Sequence, residues 1–217
     1  MIWKRAARVP QPPDPRAVFL NIPYDEEFSS LYLAYIVGLF QLDLVPHLAS
    51  EIPGGERRLD RILALIKRCR YSIHDLSRVE LGVAPTATPR FNMPLELGLA
   101  IAWKNLRPRH HEWSVWESEA YRIQRSASDL NGTDPYIHGG SPEGVLSELR
   151  NAFVQKRAPS VERMLVTYSI VEGNMERILG NAGSRNFYAA SVFKELCFVA
   201  SSLAEIDRNR GGLVPRP

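Results

Sequence analysis

Short apolar runs alternate with helix-patterned stretches along most of this chain, and that alternation constrains the fold more than any other feature. Residues 17–22 (AVFLNI) form the kind of apolar run that a strand buried on both faces needs. Over residues 26–42, Phe28, Leu31, Tyr35, Leu39 and Leu42 recur at helical spacing. A second strand is predicted at 44–49. A second helix follows at 56–69, with Leu59, Ile62, Leu63 and Ile66 on its apolar face. A third strand (71–76, YSIHDL), a helix from Asn92 to about Lys104 and a fourth strand (112–116, EWSVW) come next. A helix at 119–130, a short fifth strand at 136–138 and a helix from Ser141–Pro142 to about Arg157 complete the series. Such alternation implies a parallel sheet of about five strands with helices on both faces.

In sheets of this kind ligands bind outside the carboxyl ends of the strands, where the strand order reverses. That directs attention to residues 21–25, 50–56, 75–78 and 117–121 and to the helix start at Asn92. The stretch RFNMPLELGLA (90–100) stands out. Asn92 is expected to cap the helix, Pro94 suits its first turn, and Glu96 is expected in that turn. The free N–H groups and the dipole there favour negative charge, so Glu96 is expected to stay ionised. An ionised carboxylate beside a cleft suits covalent attack on a sugar carbon, and a solvated first-turn glutamate is the plain alternative.

Asn21 and Tyr24 offer hydrogen-bonding groups at the end of the first strand, where Asp25 reads equally as a helix cap or a ligand contact. Asp75, ending the third strand, suits hydrogen bonds to sugar hydroxyls or proton transfer, whereas His74 points to the opposite face and reads as structural. Arg78 and Arg90 flank the expected site and suit carboxylates or a ligand phosphate. The PGGERR stretch (53–58) opens a helix as an ordinary glycine turn or as a phosphate cradle. His110 and His111 read as loop residues, and Ser77 lacks a nucleophile elbow, which argues against a serine hydrolase. No dinucleotide fingerprint or Walker loop is present.

Of 217 residues, 45% are hydrophobic and 24% charged, as expected of an ordinary globular protein. The net charge of +3 comes from scattered arginines, so nucleic acid is not an expected partner. Two distant cysteines, Cys69 and Cys197, give neither a disulfide framework nor zinc spacing, so no metal is expected. The longest apolar run, 31–40, falls short of the roughly 20 residues a membrane span needs. With no leader pattern at the start, a cytoplasmic location is expected. Residues 1–16 read as an irregular Pro-rich arm, 17–158 as the α/β domain, 159–208 as a helical hairpin and 209–217 as a flexible tail. The hairpin carries one stripe of Met164, Leu165, Tyr168, Val171, Met175 and Ile178. A second contains Phe187, Val192, Phe193, Leu196, Val199, Ala200 and Leu203. It is expected either to cover the sheet or to form a homo-oligomer interface.

Together FLNIPYDEEF, RCRYSIHDLSR and PRFNMPLELGLAIA resemble bacterial nucleoside 2-deoxyribosyltransferases and TIR-like domains over about residues 17–139. The resemblance implies a flavodoxin-like sheet and cleavage of N-glycosidic bonds in nucleosides or nucleotides without a cofactor. It places Glu96 as the nucleophile, Asp75 as the group handling the leaving base and Tyr24 as the residue orienting the nucleophile. Asn21, Asp25, Arg78, Arg90 and Asn92 are the expected substrate-binding residues. The Asn21-Ile22-Pro23 turn replaces the Gly-Pro of the transferases, which keeps a hydrolase or an NAD-cleaving effector of the TIR-like, antiphage kind in view, with NAD then a substrate. A nucleotide sensor and an oligomerisation module are the non-enzymatic alternatives.

Overall fold

The computed structural model describes residues 12–51, 57–79, 90–122, 130 and 132–211. Five parallel strands form one sheet: β1 (Asp14–Asn21), β2 (Val45–His47), β3 (Cys69–Asp75), β4 (Glu112–Glu117) and β5 (Tyr136–Ile137). Their order is β2-β1-β3-β4-β5, so the fold is α/β and flavodoxin-like. Strand β1 starts before the apolar run that marks it, because Asp14–Arg16 is exposed and only the buried part carries the pattern. Most of the helix predicted at 119–130, most of the PGGERR turn and the C-terminal tail after Gly211 lie outside the described residues.

Helices α1 (Ser29–Gln41) and α4 (Pro142–Ala152) cover one face of the sheet. The other face carries α2 (Arg58–Arg68) and α3 (Asn92–Leu106). Helix α1 is buried on every side from Leu31 to Leu39, so its apolar spacing marks an interior helix rather than an amphipathic one. What covers its outer side is the C-terminal segment, which forms three helices instead of the expected two: α5 (Val161–Glu172), α6 (Met175–Ala182) and α7 (Ala190–Gly211). Met164, Tyr168, Val171, Ile178, Val192, Phe193, Leu196 and Ala200 share one core with α1. The stripes proposed as an oligomer interface are therefore largely spent inside the chain, each fully buried large side chain contributing about 1.5–3 kcal/mol. On α2, Ile62, Leu65 and Ile66 face the sheet, while Leu59 is exposed. Among the described residues, no helix is long and apolar enough to cross a membrane.

Helix α4 starts at a capped turn, with Ser141 Oγ accepting from the Gly144 N–H at 3.0 Å. A Cβ on Gly144 would stand 1.9 Å from the His138 carbonyl oxygen, which is backbone and cannot swing aside. Gly144→Ala is therefore expected to cost about 3 kcal/mol. Urea unfolding measures this, and a wild-type midpoint would show that the turn relaxes freely.

Candidate functional site

The reversal in strand order falls between β1 and β3. The chain leaves β1 towards α1 on one face and leaves β3 towards α3 on the other, opening the sheet at its carboxyl edge. Glu96 enters this region from α3. Phe91 occupies the cap position and makes no side-chain cap bond, so Asn92 is the first helical residue rather than the cap. Its amide instead bonds to Glu96. Glu96 thus lies beyond the first turn, where the helix dipole has faded.

Burial overturns the expectation that Glu96 stays ionised, and it also removes the plain alternative of a solvated glutamate. The residue is 3% exposed. Desolvation pushes its carboxyl up to about 7, against the opposing pull of Arg58 and Asn92. Arg58 Nη2 lies 3.7 Å from Glu96 Oε1, and that oxygen has no hydrogen-bond partner. Near neutral pH the side chain is poised between its acid and its nucleophilic form. Tyr24 stands in the same field. Burial raises its phenol; Arg58 pulls it back, and Glu96 and Glu51 push it further up. It is therefore a neutral phenol within the electrostatic reach of Arg58, Glu96 and Glu51.

The other expected site residues are largely committed to structure. Asn21 donates both amide hydrogens, one to the Met93 carbonyl at 3.0 Å and one to His74 Nδ1 at 3.0 Å, so it ties β1 to the start of α3 instead of offering donors to a ligand. Asp25 resolves as a cap and a clamp. Its Oδ1 accepts from the Phe28 N–H at 3.1 Å, and its Oδ2 accepts from Arg78 at 3.0 Å and Arg90 at 2.7 Å. Arg78 also reaches Glu27 at 2.6 Å. An open hollow of about 510 Å³ is lined by Asp25, Glu26, Glu27 and Arg78. Three carboxylates against one guanidinium make it a poor phosphate site.

Asp75 requires the largest correction. It is fully buried and turned towards α1, on the opposite face of the sheet from Glu96. The Tyr35 hydroxyl donates to Oδ2 at 2.8 Å, the Ser77 N–H donates to Oδ1 at 3.0 Å, and His138 Nε2 lies 3.1 Å from Oδ2. A carboxylate fully buried on the α1 side and already serving three internal donors is out of reach of a sugar hydroxyl or a leaving base. Ser77, read as lacking a nucleophile elbow, places its Oγ 3.0 Å from the same His138 Nε2. Because His138 Nδ1 accepts from the Gly140 N–H at 3.1 Å, Nε2 carries the hydrogen. Ser77 and Asp75 then share one ring nitrogen, so this Ser-His-Asp grouping cannot relay a proton as a nucleophilic triad does.

A second buried chain runs along the α3 face of β3. Starting from Asn21, His74 Nε2 donates to Ser72 Oγ at 2.9 Å, and Ser72 donates to His111 Nε2 at 2.8 Å. His111 Nδ1 closes the chain on the Cys69 carbonyl at 2.9 Å. The chain starts at an NH2 that only donates and ends at a carbonyl that only accepts, which together fix every direction and leave both rings neutral. Burial accordingly lowers His74 to about 3 and also lowers His111. His74 is structural, as its position on the strand implies, and His111 lies in the loop as expected but is fully buried there. Its only sequence signal is that it immediately precedes β4. Arg58, the ion-pair partner of Glu96, was visible only within the PGGERR stretch, read as a glycine turn or a phosphate cradle. Among the described residues, no group of three or more His, Cys, Asp or Glu side chains is placed to hold a metal ion. No family model matches the chain, and neither a curated protein nor a solved structure matches it.

Proposed function

We propose that this protein breaks an N-glycosidic bond of a nucleoside or nucleotide, with Glu96 as the reacting carboxylate. The observation that carries the reading is the buried Glu96 carboxyl, with Oε1 free of hydrogen bonds, beside Arg58 and Tyr24 at the reversal of strand order. Ionised Glu96 donates an electron pair to the anomeric carbon as the electrons of the C–N bond leave with the base. Water, or an acceptor base in a transfer, then releases the sugar from the resulting ester. Arg58 favours the ionised form, and the Tyr24 O–H orients it. The resemblance to deoxyribosyltransferases and TIR-like domains supports the same assignment for Glu96.

The commitment of Asp75 favours a second reading, in which the leaving group is a pyridinium, as in NAD. Such a base departs neutral and needs no proton, so the absence of a free acid at Asp75 does not matter. Self-association would use Val166, Ile170, Phe198 and Ile206, which remain exposed on α5 and α7.

Incubation with nucleosides, nucleotides and NAD, followed by chromatography for free base, tests the reading. Only ionised Glu96 is nucleophilic, so kcat/KM is expected to rise about tenfold per pH unit below about 7 and to level above it. A rate falling across that range would assign Glu96 as an acid instead, and no base from any substrate would remove the activity altogether.

A further inference from the structure

We propose that Tyr188, in the turn between α6 and α7, is a positioning residue that sets the Tyr24–Asp25 segment, so that the C-terminal helices control the geometry of the Glu96 site. The Tyr188 hydroxyl donates to the Asp25 carbonyl at 2.5 Å, across 163 residues of sequence. Its ring lies 5.2 Å from Tyr24 and 4.9 Å from Tyr32, centroid to centroid. Asp25 is the residue whose side chain gathers Arg78 and Arg90, and Tyr24 is the residue whose phenol feels the Glu96 charge. One side chain thus grips two adjacent residues of the β1–α1 loop, one through its backbone and one through its ring.

The grip comes from a braced turn. Gly183 ends α6 in the left-handed region (φ 63°), which suits glycine. The Asn186 N–H then donates to Ser184 Oγ at 3.1 Å, and the Tyr188 N–H donates to Asn186 Oδ1 at 3.0 Å. Phe187 packs edge-on against Tyr32 at 5.6 Å. A ring alone would fill the space between the helices. A hydroxyl aimed at a loop carbonyl also dictates where that loop stands. Burial raises the Tyr188 phenol, which keeps it a donor throughout the neutral range.

The site served is the Glu96 site proposed above, but the decisive test needs no turnover. The Glu96 carboxyl is titrated by carbon-13 NMR in labelled wild type, Tyr188→Phe and Tyr188→Ala, with Glu96→Gln assigning the signal. The groups that face Glu96 are Arg58 from α2, Asn92 from α3 and Tyr24 from the β1–α1 loop, with Glu51 behind Tyr24. None is changed by the substitutions. Loosening Tyr24 lets water reach Glu96 and relieves its desolvation, so the midpoint is expected to fall from about 7 towards 4.5. A drop of about half a unit is expected for Tyr188→Phe and more than about one unit for Tyr188→Ala. The phenylalanine variant keeps the ring and decides the matter should the alanine variant unfold. Where substrate is turned over, Tyr188→Phe is expected to lower kcat about tenfold. An unchanged Glu96 midpoint in folded Tyr188 variants overturns the proposal. A shifted midpoint in a protein that releases no base upholds the positioning role and removes the glycosidase reading instead.

Discussion

Replacing Glu96 with glutamine is expected to abolish base release and, at pH 8, to make the fold more stable. The first effect follows from chemistry, since an amide has no electron pair basic enough to attack an anomeric carbon, and a loss of at least about a thousandfold is expected. The second follows from burial. The carboxyl titrates at about 7 in the folded chain and at 4.5 when unperturbed. Between those values the folded chain holds a proton that the unfolded chain has lost, so stability declines as pH rises through that window and is level above it. The full shift corresponds to about 3 kcal/mol, and partial relaxation brings the expected gain to about 1–3 kcal/mol. Glutamine keeps the shape and carries no charge, and half-exposed Arg58 is not left stranded. Urea unfolding at pH 8 and at pH 4 checks this, with the gain expected at pH 8 and nearly absent at pH 4. A variant less stable than wild type at pH 8 would show that Arg58 more than offsets the burial of charge.

Asp75→Ala is expected to do the opposite. Its carboxylate is the common acceptor for the Tyr35 hydroxyl, the Ser77 N–H and His138 Nε2, all of them buried. Alanine leaves these donors without their acceptor and opens a void where α1, β3 and the end of β5 meet. A loss of about 3–5 kcal/mol is expected. Asparagine does not rescue it fully, because its NH2 group meets other donors. A urea midpoint within experimental error of wild type would return Asp75 to the list of residues free to meet a ligand. Two carboxylates at one sheet edge are thus expected to move stability in opposite directions. Glu96 is buried at a cost, and Asp75 is buried as the hub of a network.

The elements that were legible in the sequence are those whose pattern is local. The AVFLNI run is β1 because a central strand is apolar on both faces, and Asn92 is where α3 begins. The carboxyl edge was legible too, since it follows from strand order and direction. Less legible was the C-terminal segment: a continuous apolar stripe from Met164 to Ile178 conceals the break at Gly173–Asn174. Strand alternation put His74 and Asp75 on opposite faces, but it said nothing about what waits on each face. Tyr35, 40 residues away, takes Asp75 out of reach, and His111, 39 residues from Ser72, completes the chain behind His74.

What the sequence by itself determined is a parallel α/β sheet, the edge where a ligand would sit, and the helix that brings one glutamate to it. Only the tertiary structure decided the state of that glutamate. Its proton affinity depends on how completely the surrounding chain excludes water, against the opposing pull of Arg58 and Asn92. Residue spacing records which way a side chain points, whereas desolvation depends on everything that closes over it from distant parts of the chain.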